Sequence, residues 1–255
     1  MRIALGVEYD GSQFNGWQSQ PDGNTVQDHV QLALSRIACE PVSVIAAGRT
    51  DTGVHALEQV IHFDTSTERL LSAWVRGVNA LLPASVAILW AHPVAEEFHA
   101  RFSAQARSYQ YVLINRPTRS AVHHGRVGWY HAPLDINAMQ LAAQYLLGTH
   151  DFSAFRAAEC QAKSPVKNLT RLEIRQQGDT VIFDFTADAF LHHMVRNIVG
   201  CLIYVGKGKH PPVWMQQVLE ARQRSLAAPT FAPDGLYLRH IKYDAKWELP
   251  QLHFA

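Results

Sequence analysis

The chain has 255 residues and a formal net charge of +1, with 47% hydrophobic and 18% charged residues. This length suffices for one large domain or two modest ones, and the composition is ordinary for a soluble globular protein. The near-zero net charge argues against a surface that is basic throughout, so a nucleic-acid partner would have to be bound by a local patch.

Cysteine usage and apolar runs indicate the compartment. The three cysteines, Cys39, Cys160 and Cys201, form no C-x-x-C pair, so the sequence favours neither a disulfide framework nor a thiolate zinc site. The first ten residues alternate as in a strand and lack the apolar core of a signal peptide. The longest apolar run is too short to cross a bilayer. We therefore expect a soluble cytoplasmic protein.

The first half of the chain predicts the element order β-α-β-β-α-β. Apolar and alternating runs predict strands at 2–10, 42–46, 59–63 and 86–90. Apolar residues at helical spacing predict helices at about 26–37 and 70–81, ended by Pro41 and Pro83. Thr25 followed by Asp28 predicts a variant of the capping box. This order is the ferredoxin-like pattern.

The second half of the chain also predicts a mixture of strands and helices. Strands are predicted at 109–114, 169–175, 180–187 and 235–238, and helices at 135–148, 190–205 and 213–222. Asp135 is the predicted N-cap of the first of these helices, and Gly148 its predicted C-terminal cap residue. We expect an α+β protein of two domains, 1–104 and 105–255, with the functional cleft between them.

Charge is unevenly distributed along the chain. No acid occurs between Glu97 and Asp135, yet this stretch contains five arginines, which are Arg101, Arg107, Arg116, Arg119 and Arg126. A second acid-free stretch, from Ala189 to Leu219, contains Arg196, Lys207 and Lys209. Such segregation can form a positive face on a neutral protein. Charge alone leaves two interpretations open, an anionic partner and arginines that pair with distant acids.

Residues 48–56, G-R-T-D-T-G-V-H-A, contain the D-T-G triplet of aspartic proteases. That chemistry needs two carboxylates that share a proton. The chain has one D-T-G, and Arg49 near Asp51 favours a fully ionised carboxylate. A lone triplet is usually a turn stabilised by its Asp and Thr side chains. The arginine, the two glycines and His55 favour a lone catalytic acid, although the turn interpretation stays open.

Arg196 is the second candidate. It lies in F-L-H-H-M-V-R-N-I-V-G, a predicted apolar helix in which His192, His193 and Gly200 would share its stripe. Gly200 would allow another backbone to approach closely. A mostly buried arginine needs a carboxylate partner, for which Asp51 is plausible. The alternative is an arginine at the helix rim that extends to water.

Tyr109 and Tyr111 alternate on one predicted strand, within the arginine-rich stretch. Aromatic side chains on a sheet among arginines suit base stacking, although a tyrosine at strand spacing usually belongs to the core. The sequence has no H-E-x-x-H, Walker, Rossmann or G-x-S-x-G pattern, so we expect no metal and no nucleotide cofactor.

Eight stretches carry a resemblance, in order along nearly the whole chain. They are Y-D-G-S-Q-F-N-G-W-Q at 9–18, A-G-R-T-D-T-G-V-H-A at 47–56, G-V-N-A-L-L-P at 77–83, F-H-A-R-F at 98–102, R-S-Y-Q-Y at 107–111, D-F-S-A-F-R at 151–156, F-L-H-H-M-V-R-N-I-V-G at 190–200 and G-L-Y-L at 235–238. Together they resemble the TruA family of tRNA pseudouridine synthases. One departure is Thr52, where many relatives carry Ala; this residue creates the protease-like triplet.

The resemblance implies two α+β domains of ferredoxin-like or RRM-like build. They would join into an extended antiparallel sheet, with helices on one side and a basic cleft between the domains. It implies a homodimer that binds tRNA. The activity would be isomerisation of uridine to pseudouridine on the 3′ side of the anticodon stem-loop, by base flipping and without a cofactor.

The resemblance also implies roles for single residues. Asp51 would be the catalytic aspartate and Arg196 its ionic partner. Tyr109 would stack on the target uracil, and Arg49 would occupy the space of the extruded base. Further substrate contacts are expected from Phe98, His99, Arg101, Phe102, Arg107, Arg69 and Lys163. A non-catalytic RNA-binding protein stays the alternative, and the protease is disfavoured.

Overall fold

The computed structural model of the protein describes residues 1–21 and 23–252. The strands are β1 (Arg2–Tyr9), β2 (Ile45–Ala46), β3 (His55–Asp64), β4 (Val86–Val94), β5 (Ala106–Asn115), β6 (Gly128–Tyr130), β7 (Gly148–Asp151), β8 (Val166–Gln177), β9 (Thr180–Ala187) and β10 (Leu236–Lys242). The α-helices are α1 (Val26–Ala38), α2 (Ile136–Gln144), α3 (Met194–Gly206) and α4 (Trp214–Ala221). A π-helical segment spans Ala73–Gly77.

The chain divides into two compact units. Unit 1 contains Met1–Gln105 together with the segment from Leu238 onward, and unit 2 contains Ala106–Tyr237. The division therefore differs from the predicted single boundary after residue 104. The C-terminal strand β10 pairs with β3, so its backbone hydrogen bonds bring the end of the chain back to the first unit.

In unit 1 the strand order is β4-β1-β3-β10, with β2 paired to β3. β1 is antiparallel to both of its neighbours. Helix α1 begins as predicted, because the Thr25 hydroxyl oxygen accepts the Asp28 N–H at 3.3 Å. The Asp28 carboxylate in turn accepts a hydrogen bond from the Thr25 hydroxyl, so the two residues cap the helix reciprocally.

Two predicted elements of unit 1 are shorter in the structure. The strand predicted at 42–46 is reduced to β2, because side chains of α1 take the N–H groups of Val42 and Val44. The helix predicted at 70–81 is helical only over 71–79 and contains the π-helical segment. Trp74 and Val78 of its apolar stripe are buried, whereas Leu81 is 41% exposed.

In unit 2 the strand order is β5-β9-β8-β7, and β6 pairs with β5. The β5–β9, β8–β9 and β7–β8 pairs are antiparallel, whereas β5 and β6 are parallel. The sheet is therefore mixed: the long strands pair antiparallel, as the resemblance implied, and β6 is the exception. The chain as a whole is a mixed α+β protein, as predicted.

The helices of unit 2 differ from the prediction at their ends. Asp135 caps α2, with its carboxylate accepting the Ala138 N–H at 2.9 Å. That helix ends at Gln144, and Gly148 opens β7 instead of following the helix. Helix α3 begins at Met194, so the two histidines before it do not share a helical stripe with Arg196.

Helix α3 supplies much of the core of unit 2, and most of its residues are buried. A side chain at Gly200 would place its Cβ 2.3 Å from the Pro229 carbonyl oxygen. The prediction that Gly200 admits another backbone is confirmed. Within the described residues, no helix is both long and apolar enough to cross a membrane.

Candidate active site

Asp51 lies in the loop between β2 and β3, and strand β3 holds the start of this loop. The Ala47 N–H donates to the Val60 carbonyl at 2.8 Å, which extends the pairing of β2 with β3. The buried side chain of Gln59 donates from its Nε2 to the Gly48 carbonyl at 2.8 Å. The loop therefore leaves the sheet at a defined position.

Thr50 is the buried anchor of the loop. Its hydroxyl is hydrogen-bonded to the Tyr9 hydroxyl at 2.8 Å, and its carbonyl accepts the Trp17 N–H at 3.1 Å. Thr50 is 6% exposed, whereas Arg49 is exposed and Asp51 is half-buried. The middle residue thus fixes the loop to unit 1, and the two charged neighbours reach the surface.

A turn follows the aspartate. The Val54 N–H donates to the Asp51 carbonyl at 3.1 Å, and Gly53 adopts φ of 79°, a conformation that favours glycine. His55 is buried, and its Nδ1 accepts the Gly11 N–H at 3.0 Å. The structure therefore gives His55 an anchoring role, with no exposed imidazole for chemistry.

The segment before Trp17 packs backbone against backbone on this loop. Gly16 adopts φ of 84°, and a Cβ built on it would lie 2.7 Å from the Thr50 carbonyl oxygen. A Cβ on Gly11 would lie 1.9 Å from the Val54 carbonyl oxygen. Sequence reasoning missed this support of Asp51. The signal that could have found it is the pair of glycines in Y-D-G-S-Q-F-N-G-W-Q.

In unit 2, Tyr109 and Tyr111 point the same way from β5 but differ in burial. Tyr111 is fully buried and donates its hydroxyl to the Ala232 carbonyl at 2.9 Å. Burial raises the pKa of the Tyr111 hydroxyl well above its ordinary value. Tyr109 is 9% exposed, and its ring meets Phe190 edge to face at 4.9 Å. The core interpretation is therefore right for Tyr111, while Tyr109 lies at the margin of the core.

Arg196 lies in the first turn of α3 and is half-buried. Its Nε donates to the Phe231 carbonyl at 2.8 Å, and the Phe231 N–H donates to the Arg196 carbonyl at 3.2 Å. This reciprocal pair fixes the plane of the guanidinium group. The arginine is oriented by the backbone of unit 2, which sequence reasoning had not foreseen. Its pairing with Asp51 stays a prediction.

The F-H-A-R-F stretch has a buried end. Phe98 is fully buried, and its ring centroid lies 5.3 Å from those of both Tyr243 and Trp247. A side chain enclosed by its own unit cannot contact RNA, so the structure assigns Phe98 to the core instead of the substrate-binding surface.

The exposed end of this stretch is a tight turn organised by His99. Its Nδ1 lies 3.2 Å from the N–H groups of Arg101 and Phe102, which both donate to it. The His99 ring stacks on Phe102 with centroids 4.2 Å apart. Phe102 is 77% exposed. An exposed ring beside an arginine suits stacking on an RNA base.

Below this turn, His62 is buried, and its Nδ1 accepts the Ala100 N–H at 3.1 Å. Burial first, and then the charges of Arg2 and His99, lower the pKa of His62 to about 4 from an ordinary value of 6.5. At a pH between these two values, His62 binds a proton in the unfolded chain but not in the folded chain. Folding is therefore less favourable at the acid end of this range.

We expect the free energy of unfolding to fall as the pH is lowered from 6.5 to 4. His62→Gln, which keeps a hydrogen-bond acceptor, should flatten this fall. Chemical denaturation at several pH values measures the effect, with the exposed His124→Gln as the control. A pH dependence of the His62 variant equal to that of the wild type would contradict this assignment.

The remaining predicted contact residues are distributed over both units. Arg107 donates from Nη1 to the Asp188 carbonyl at 2.9 Å, which orients its guanidinium group at the start of β5. Arg69 and Lys163 are exposed. All three, with Arg49, Arg101 and Phe102, stay predicted substrate contacts.

Comparison of the whole sequence with known proteins identifies its family. A family model described as tRNA pseudouridine synthase matches residues 6–103 and 142–244. The chain belongs to the tRNA pseudouridine synthase family. It is therefore an isomerase, and the family match includes Asp51, Arg196 and Phe102 but not Tyr109.

Individual relatives of the synthase family cover the chain almost completely. The chain is 60% identical over 250 residues to tRNA pseudouridine synthase A of Dechloromonas aromatica, covering 98% of this chain and 95% of that protein. It is 60% identical to the protein of the same name from Methylobacillus flagellatus, with 98% and 96% covered. The protein from Thiobacillus denitrificans is 59% identical, with the same coverage.

Proposed function

We propose that this chain converts uridine to pseudouridine on the 3′ side of the anticodon stem-loop of tRNA, with Asp51 as the essential carboxylate. Family membership supports the reaction and the tRNA substrate. The observation that carries the site is the half-buried Asp51 in a loop pinned through Thr50. A rigid mounting is what a catalytic carboxylate needs.

The reaction is an isomerisation, so it needs a charged, well-positioned side chain but no second molecule that donates a group. The N1–C1′ bond of uridine breaks, the uracil turns, and a C5–C1′ bond forms. The hydrogen of C5 is lost to solvent as a proton, and N1 gains one, so there is no net oxidation. The resemblance accordingly implies no cofactor. Asp51 could attack the sugar, attack the base or remove a proton, and each of these roles needs the ionised carboxylate.

The target uridine is reached by base flipping, because its reacting atoms lie inside a stacked stem. Arg49 is exposed and precedes the buried Thr50 in the same loop, so the anchoring that positions Asp51 also positions Arg49. We assign Arg49 to the space that the flipped base leaves. Tyr109 is the proposed stacking partner of the flipped uracil, supported from the side by Phe190.

Arg49→Ala should lower kcat by about ten- to a hundredfold while leaving the free energy of unfolding unchanged. The side chain is exposed, so its removal creates no cavity. Pseudouridine formation on a paired stem is the measurement, with denaturation as the check on folding. The variant should regain activity on a substrate whose target uridine is unpaired, since flipping then costs less. Wild-type turnover on the paired stem would refute the role.

The function itself is tested by mapping pseudouridines in tRNA from a strain that lacks the gene. We expect them to be missing from the 3′ side of the anticodon stem-loop and restored by the wild-type gene. Unchanged pseudouridines there would refute the proposal and favour the non-catalytic RNA-binding protein. The resemblance also supports a homodimer in the cytoplasm, and light scattering of the purified protein tests the dimer.

A further inference from the structure

Five side chains at the junction of α3 and α4 in unit 2, Tyr204, Lys207, Lys209, His210 and Trp214, form a cluster that we call the junction patch. The rings are nearly parallel, with His210 and Trp214 4.1 Å apart and at 16° to each other. The ammonium nitrogens of Lys207 and Lys209 lie 4.3 and 4.1 Å from the centroid of the Tyr204 ring. Both lysines are exposed.

The end of α3 holds the two lysines in place. Gly208 adopts φ of 73°, its N–H donates to the Val205 carbonyl at 2.8 Å, and the Lys209 N–H donates to the Tyr204 carbonyl at 3.0 Å. This pair of bonds is the Schellman motif. The backbone thus brings Lys207 and Lys209 to one ring, and each ammonium group keeps N–H donors for an anion.

The surroundings of the junction patch are poor in negative charge. It lies in the acid-free stretch from Ala189 to Leu219. Asp135 is near in space, because its N–H donates to the Gly206 carbonyl at 2.8 Å, but its carboxylate caps α2 through the Ala138 N–H. Burial first, and then Lys209 and Lys207, lower the pKa of His210, in agreement with concentrated positive charge.

The junction patch is remote from Arg196 within unit 2. Arg196 lies in the first turn of α3, and Lys207 follows the last residue of that helix. Eleven residues at 1.5 Å of rise each separate them by roughly 16 Å along the helix axis. A phosphate bound at the lysines therefore belongs to a different nucleotide from any base that Arg196 approaches.

We propose that the junction patch binds backbone phosphates of tRNA outside the anticodon stem-loop. The inference rests on the proposed function, because the tRNA substrate is the extended polyanion that the enzyme must hold. Lysine is a common phosphate ligand, and the aromatic rings offer a surface to an unpaired base. Lysines at the C-terminal end of α3 also complement its dipole, a role that affects folding alone.

The test compares Lys207→Gln/Lys209→Gln with the wild type on two RNAs, full-length tRNA and the isolated anticodon stem-loop. For full-length tRNA we expect Kd to rise about tenfold, and the slope of log K against log salt to fall by about 2. For the stem-loop, Kd should not change. An unchanged Kd for full-length tRNA, or an equal loss on both RNAs, would overturn the proposal.

Lys246→Gln is the matched control. Its ammonium group also lies over an aromatic ring, 4.8 Å from the centroid of Trp247, but the pocket beside it is lined by Glu97 and Glu248. Its tRNA affinity should equal that of the wild type. Lys207→Arg/Lys209→Arg keeps both charges and should keep the affinity. If it binds as weakly as the double Gln variant, charge is not the cause and the proposal fails.

Pseudouridine formation by the wild type on the stem-loop tests the proposed function separately from the junction patch. A wild type that binds tRNA through the junction patch but modifies neither RNA would refute the proposed function alone. A wild type that modifies both RNAs, with no effect of the lysines on full-length tRNA, would refute the junction patch alone.

Discussion

Asp51→Asn is expected to abolish pseudouridine formation, with a loss of at least ~10³-fold in kcat, while tRNA binding stays within a few fold of the wild type. Asparagine is nearly isosteric, and the loop is anchored by the backbone and side chain of Thr50, so the turn should survive. The missing negative charge removes the nucleophile or base. Tritium release from C5-labelled uridine in tRNA measures the reaction beside a binding assay.

Thr52→Ala is the matched control for this substitution. Thr52 is exposed and adjacent, and the change destroys the D-T-G triplet without touching the carboxylate. We expect normal tritium release. A loss of activity in Thr52→Ala equal to that in Asp51→Asn would mean that the turn, and not the charge, matters. Normal release from Asp51→Asn would refute the catalytic role.

Gly16→Ala is expected to lower kcat by about a hundredfold, although residue 16 contributes no functional group. The new Cβ would lie 2.7 Å from the Thr50 carbonyl oxygen and 3.1 Å from the carbonyl carbon of Asp51, so the loop has to move. A displacement of about 1 Å at a catalytic group can cost that much. The free energy of unfolding should fall by about 2–3 kcal/mol, from the strained left-handed backbone and the steric clash of the new Cβ.

Gly23→Ala separates the clash from the backbone strain. Gly23 also has a positive φ, of 67°, but no atom lies within 4 Å of a Cβ built on it. It should lose about 1 kcal/mol of stability and keep its activity. Steady-state kinetics and chemical denaturation of both variants provide the comparison. Equal kcat values in the two variants would show that Gly16 does not position Asp51.

Local sequence signals were sufficient to predict most of the helices and strands. Strand β9 lies at 180–187, where alternation predicted it, and α1 begins after Thr25, because a cap acts within three residues. The D-T-G stretch, the arginine before it and the resemblance directed attention to Asp51. These inferences needed only neighbours in the sequence and the pattern of motifs along the chain.

Contacts between distant segments decided the rest. The burial of Phe98 depends on Tyr243 and Trp247, so its motif could not reveal that it belongs to the core. The strand predicted at 42–46 lost its first residues because α1 side chains satisfy their N–H groups.

The sequence by itself determined the α+β class, the order of the longer elements and the stretch that contains Asp51, since periodicity, caps and motifs act locally. The tertiary structure decided what anchors that aspartate. Tyr9, Trp17 and Gln59 reach the loop from other segments, and only folding brings their hydrogen-bonding groups to Gly48 and Thr50. Buried backbone groups must find such partners, and the partner depends on the path of the whole chain.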